Sequence, residues 1–192
     1  RSVELNVFET FTPALPEGYR QTPIVLLANI APDLQHHVLD QVSQPRFVIA
    51  DTMDLWINIA KDSLTRLIGR VDMLILNDGE ARQFTGETSL IKAGKKIREM
   101  GPAYVAIKKG EHGCLLFGPE AEFFSCPAFP LEDIHDPTGA GDTWFGALLV
   151  ALVRNLDLGT AGRFANRAAA DCCSVIGASA GIRRFDETLA RI

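Results

Sequence analysis

Four short, largely apolar runs, the first three each followed by a segment with helical character, set the strongest limit on how this chain can fold. The runs are residues 23–30 (PIVLLANI), 46–51 (RFVIAD), 72–76 (DMLIL) and 104–108 (YVAIK). They are continuous rather than alternating, as strands covered on both faces are. Pro32 suits the first turn of a helix reaching about Val42. Asp54 is placed to cap one helix that carries Ile57, Ala60, Leu64, Leu67 and Ile68 on a single face. Helices are expected at 78–84 and 89–100, broken at Gly86. Beyond the fourth run, 110–113 reads as a turn, 114–117 as a hairpin partner and 122–126 as a further strand. Helices follow at about 141–154 and 160–175, with a short one near 187–192. Residues 2–8 alternate and read as a separate strand. Repeated strand–helix–strand units imply an α/β fold, a mostly parallel central sheet flanked by helices.

A chain of 192 residues is long enough for one good core, and residues 1–192 are read as a single domain. Its 19 Lys+Arg against 24 Asp+Glu leave a net charge of −5, which argues against a nucleic-acid partner. The longest apolar run, 144–153, contains Gly146 and falls far short of the ~20 residues that span a bilayer. Residues 1–10 lack the apolar core of a signal peptide. Cys114, Cys126, Cys172 and Cys173 form no CxxC pair, and no histidine stands at zinc-ligand spacing from them. They read as reduced core thiols of a cytoplasmic protein. The adjacent His36 and His37 fall on a predicted helix and are expected to face solvent.

In open sheets of this kind, ligands bind beyond the carboxyl ends of the strands. Asn29, Asp51, Asn77 and Lys108 all fall at such ends. A polar residue there also simply begins a loop. The stretch that carries chemistry is 136–149, DPTGAGDTWFGALL. Its glycine turn, Gly139-Ala140-Gly141, enters an apolar helix. Glycine lets successive amides turn toward one point, and the helix start adds the positive end of its dipole. Together these make an anion hole suited to a phosphate. A Walker A loop is excluded, because no GKS or GKT is present. Asp142 would repel a phosphate that it merely touched. It makes sense as the base that orients an attacking hydroxyl, or as a first-turn acid favoured by the dipole.

The 136–149 stretch resembles the C-terminal signature of the ribokinase-like (PfkB) carbohydrate kinases. That resemblance implies that Asp142 is the catalytic base and that the amides of Gly139, Ala140, Gly141 and Asp142 stabilise the transferring phosphate. Asn77-Asp78-Gly79-Glu80 resembles the family's NxxE motif, which implies that Asn77 and Glu80 serve the Mg²⁺–phosphate arrangement, the alternative being an Asn cap followed by a first-turn acid. Mg²⁺ keeps several waters, so Glu80 is expected to act through one. Residues 108–113 (KKGEHG) resemble the strand and turn along the nucleotide, with Lys108 as a point charge for a phosphate and Gly110 and Gly113 at the turn. Residues 164–170 and 174–179 resemble the helix beside the adenine and the loop after it, which makes Asn166 and Gly177 nucleotide-side candidates, a surface amide and a helix C-cap glycine being the alternative readings. A monovalent cation, often K⁺, lies near this loop in many relatives, which makes Asp136 a candidate ligand.

The resemblance runs from about Pro23 to the C-terminus, whereas members commonly have about 300 residues. No early GGxxxN-like motif is present, and the chain starts with Arg1. It is therefore expected to be a C-terminal portion, lacking the N-terminal strands and most of the β lid, with 1–22 a remnant of that region. The expected activity is ATP-dependent phosphorylation of a hydroxymethyl group on a sugar or nucleoside, with Mg²⁺. The alternative is a nucleotide-binding fragment or degenerate kinase without catalysis. A dinucleotide dehydrogenase is disfavoured, since no GxGxxG follows an early strand. Pairing of lid strands would make a homodimer.

Overall fold

The computed structural model describes residues 10–192. Six strands form one sheet in chain order: β1 (Ile24–Leu27), β2 (Phe47–Asp51), β3 (Met73–Asn77), β4 (Tyr104–Lys108), β5 (Cys114–Phe117) and β6 (Phe123–Cys126). β1 to β4 pair in parallel, and β5 and β6 add antiparallel strands. The register sets Asn77 beside Lys108 and Asp51 beside Ile75, so β3 and β4 end level and β2 ends two residues short of them on the same side.

Period-two side chains divide the core between the two faces. Leu74, Leu76, Val105 and Ile107 point to one, and Met73, Ile75, Ala106 and Leu116 to the other. The first face is covered by α1 (Pro32–Leu39), α2 (Asp54–Ile59), α3 (Lys61–Ile68), α4 (Asp78–Thr85) and α5 (Leu90–Arg98). The second is covered by α6 (Ala140–Val153) and α7 (Leu158–Cys173), with α8 (Phe185–Leu189) packed on α7. Met73 to Leu76 are fully buried, and each large side chain of that kind contributes about 1.5–3 kcal/mol over its exposed state.

Three sequence expectations change. The helix foreseen from Asp54 to Ile68 is two, broken at Ala60 with φ −137° and ψ 31°. Trp56 explains the break: it is buried and donates its indole N–H to Asn29 Oδ1 at 2.9 Å, which directs α2 toward the strand ends. Asp54 is the first helical residue rather than the cap, which is Met53. His36 and His37 are half-buried rather than solvent-facing. His36 Nδ1 lies 2.8 Å from Arg70 Nη1 and Nε2 lies 3.1 Å from Ser63 O, while His37 Nε2 lies 2.9 Å from Pro13 O. Of the expected N-terminal remnant, the strand at 2–8 lies outside the described residues. Gln41 receives the Leu15 N–H and donates to Pro13 O, which fastens this segment to the end of α1. The four cysteines are unbridged.

Candidate active site at the carboxyl ends of the strands

The glycine turn meets the sheet above β4. Gly139 has φ +78° and precedes α6, and a Cβ there would stand 2.6 Å from Ala178 Cβ and 3.0 Å from Ala178 Cα. Both the left-handed backbone and the close approach require glycine. Ala140 N–H donates to Pro137 O at 3.1 Å, and Thr143 N–H to Gly139 O at 2.8 Å. The Ala140 amide thus already closes a turn, which separates it from the Gly141 and Asp142 amides in the expected anion hole. No side chain caps α6, and Asp142 lies in its first turn.

Lys108 joins this turn to the sheet. Its Nζ lies 3.9 Å from where a Cβ on Gly141 would be, and 3.6 Å from Asp51 Oδ2. Its side chain is 22% exposed, against 13% for Asp51, so neither is a freely solvated surface charge. Asp51 Oδ1 accepts the Thr52 N–H at 2.9 Å. Burial raises the Asp51 pKa, Lys108 and the Thr52 amide oppose that, and the negative charge of Asp142 adds to the rise. Burial likewise raises the Glu80 pKa, against the Asn77 amide and Lys108, while Asp51 and Asp54 push it further up. Asp51, Glu80, Lys108 and Asp142 therefore share one electrostatic environment.

Asn77 and Glu80 form a reciprocal capping box at the start of α4. Asn77 Oδ1 accepts the Glu80 N–H at 2.8 Å, and Glu80 Oε2 accepts the Asn77 N–H at 2.7 Å. The motif thus has a structural role here, and Glu80 Oε1 takes no part in it.

On the nucleotide side the candidates divide. A Cβ on Gly110 would meet open space, whereas one on Gly113 would stand 2.0 Å from Cys126 O, so Gly113 serves the approach of β5 to the chain after β6. Asn166 is buried. Its Oδ1 accepts the Trp144 indole N–H at 2.8 Å, and its Nδ2 donates to Cys126 O at 3.3 Å and Pro127 O at 2.7 Å. The side-chain amide expected on the nucleotide side satisfies a buried indole and two carbonyls here. Asn166→Ala is expected to cost about 1–3 kcal/mol by leaving the indole N–H unpaired, checked by urea unfolding.

Asp136 Oδ1 accepts the Thr138 N–H at 2.9 Å and Oδ2 the Gly177 N–H at 3.0 Å, tying the glycine turn to the loop after α7. The Thr138 hydroxyl and amide, then the Gly177 amide, hold its pKa below 3.8. A depressed acid contributes its full stabilisation above the unfolded value and loses it as pH falls through the folded one. The Thr138 and Gly177 amide signals in NMR should therefore move together, with a midpoint below pH 3.8. A midpoint at or above that value would contradict the tie.

A hollow of about 420 Å³ runs from Gly139 and Asp142 along Gly146 and Val150 of α6, closed by Phe164 and Ile182. A larger one of about 580 Å³ lies by Ile24, Arg46, Phe47 and Tyr104, near the opposite ends of the strands, and holds none of the candidates. Gly139 and Asp142 line the first, whereas Asp51, Asn77, Glu80 and Lys108 do not. Among the described residues no group of three or more His, Cys, Asp or Glu could hold a metal ion, and no helix is long and apolar enough to cross a membrane.

Two residues gained importance only from the structure. Asp51 stood among several strand-end polar residues, and nothing local marked it as the partner of Lys108. Gln35 donates to Leu27 O, Ala28 O and Asp51 O, clamping the ends of β1 and β2. A glutamine in the middle of a helix gives no such signal.

The Thermococcus kodakarensis cytidine kinase is 28% identical over 148 residues, covering 75% of this chain and 52% of that protein. The Bacillus subtilis ribokinase is 41% identical over 86 residues, 45% of this chain and 29% of that one. Arabidopsis thaliana ribokinase, solved with ribose and ATP, superposes with a TM-score of 0.74 at 29% identity, over 88% of this chain and 55% of that one. A Methanocaldococcus jannaschii nucleoside kinase superposes at 0.78 with 18% identity, over 97% and 60%, which speaks for the fold alone. The chain thus spans about half the length of the first of these relatives. The profile of the pfkB family carbohydrate kinases matches residues 30–184, from the end of β1 through the glycine turn to the start of α8. With the sheet, the turn and Asp142 arranged as described, the chain belongs to the pfkB family of carbohydrate kinases.

Proposed function

We propose that this chain carries the nucleotide-binding and phosphoryl-transfer part of an ATP-dependent kinase whose acceptor is a hydroxymethyl group of a sugar or nucleoside. The observation that carries the reading is the convergence of Lys108 and Asp51 on the glycine turn that presents Asp142. Mg·ATP would supply the phosphoryl group. Asp142 orients the acceptor hydroxyl and takes its proton late in transfer. The free amides at the start of α6 and the Lys108 ammonium face the charge that builds on the moving group. Glu80 Oε1 would be the oxygen that holds a hydrated Mg²⁺. A monovalent cation belongs beside Asp136, tested by exchanging K⁺ for Na⁺ in the assay. The chain's relatives include a cytidine kinase, a nucleoside kinase and ribokinases, so both acceptor classes stay within the proposal.

The test is a calorimetric titration of the folded chain with Mg·ATP, with Mg·GTP for comparison. Saturable binding is the expected result. If a folded chain extended to the length of its relatives shows none, the proposal is wrong.

A further inference from the structure

We propose that Asp51 is a positioning residue that sets Lys108 for the phosphates of the bound nucleotide. The inference rests on the kinase reading above and deepens it.

The fold gives Asp51 little to do for stability. It ends β2 half-buried, its burial disfavours the charged form, and the nearby Asp142 charge makes that worse. Its Oδ1 is fixed by the Thr52 amide, which sets the rotamer and leaves Oδ2 toward Lys108. At 3.6 Å the pair is longer than the 2.7–2.9 Å of a charge-assisted hydrogen bond. The ammonium is therefore held by field rather than locked, and it can pass to a phosphate oxygen.

Two other features make that holding useful. A lysine is a compact charge on a flexible stem, so placing it in advance removes entropy that binding would otherwise lose. A competitor also stands close by: Glu80, in the first turn of α4 just beyond the end of β3, attracts Lys108 too. Asp51, two strands away from β4, draws the ammonium across the end of β3 and away from Glu80. Glu80 is then left to its bond with the Asn77 amide. The negative Asp51 would itself repel a triphosphate, so its value lies in what it does to Lys108.

The experiment is a double-mutant cycle on the full-length protein, read by Mg·ATP affinity, kcat and KM. Asp51→Asn keeps the size and the Thr52 contact. It is expected to lower kcat/KM for Mg·ATP about tenfold, with a melting temperature no lower than that of the parent. In a Lys108→Met background the same change should have no further effect, because the residue it acts through is gone. Asp51→Ser should give the same pattern, which covers the case of one variant failing to fold. An equal loss in both backgrounds would mean that Asp51 meets the ligand or Mg²⁺ itself, and would overturn the proposal. So would an Asp51→Asn enzyme with unchanged kinetics beside a parent that binds and turns over. A parent that does not bind Mg·ATP removes the kinase reading, and this inference with it.

Discussion

Asp142→Asn is expected to lower turnover at least a hundredfold while Mg·ATP still binds. A hundredfold is about 2.7 kcal/mol of barrier, in the range that one general base supplies. Asparagine keeps the size and the position in the first turn of α6 but cannot take a proton. Mg·ATP affinity should hold or improve, because a negative charge beside the phosphates is removed. The competing role for Asp142 is favourable placement at a helix start, worth about 0.3–1 kcal/mol of stability. That role predicts slightly easier unfolding and nearly normal turnover. Steady-state kcat measured alongside the Mg·ATP dissociation constant separates the two. Turnover within about threefold of the parent would end the assignment of Asp142 as base.

Asp171→Ala is expected to cost roughly 3–5 kcal/mol, the usual result of removing one partner from a buried ion pair. Asp171 is 4% exposed, and its carboxylate meets three guanidinium groups. Arg167 Nη2 lies 2.7 Å from Oδ1, Arg183 Nε 3.0 Å from Oδ2, and Arg191 Nη1 2.9 Å from Oδ2. The three are unequal. Arg183 and Arg191 are partly exposed and would recover water, so their pairs count for little. Arg167 is buried beneath the Phe129 ring, 3.9 Å from its centroid, and would be left charged and unpaired. Arg183 and Arg191 also fasten the chain around α8 to α7, and that segment passes close enough that a Cβ on Gly181 would stand 2.1 Å from Asp171 O. The melting temperature should fall by about 10 °C, at 2–4 °C per kcal/mol for a chain of this size. Urea unfolding gives the free energy directly, and a loss under about 1 kcal/mol would show that Arg167 finds another partner.

The buried bonds of Asn166 and the new weight on Asp51 have one origin. Read along the chain, Asn166 sits on a helix of small residues and resembles a ligand contact. In the fold it faces Trp144 of the neighbouring helix, and a buried indole N–H must have an acceptor. The break at Ala60 is similar. Apolar residues at 57, 60, 64, 67 and 68 keep helical spacing whether the axis is straight or bent, so the pattern cannot report the bend.

What the sequence determined by itself was local and repetitive. Continuous apolar runs specified the strands, and their alternation with helical segments specified the parallel sheet. Asn77 and Glu80 could be placed at a helix start because the capping box closes over four residues. The glycine turn and Asp142 could be placed because backbone freedom and the helix dipole both act within one turn. Only the tertiary structure decided which distant charges meet. Asp51 reaches Lys108 because parallel strands end on the same side and β2, β3 and β4 lie in order. Asp171 adds Arg183 and Arg191 to Arg167, its neighbour one turn away on α7, because the chain returns along α7 after the loop. Periodicity records which face of an element is buried, and the order of strands and the path of the connections decide what that face touches.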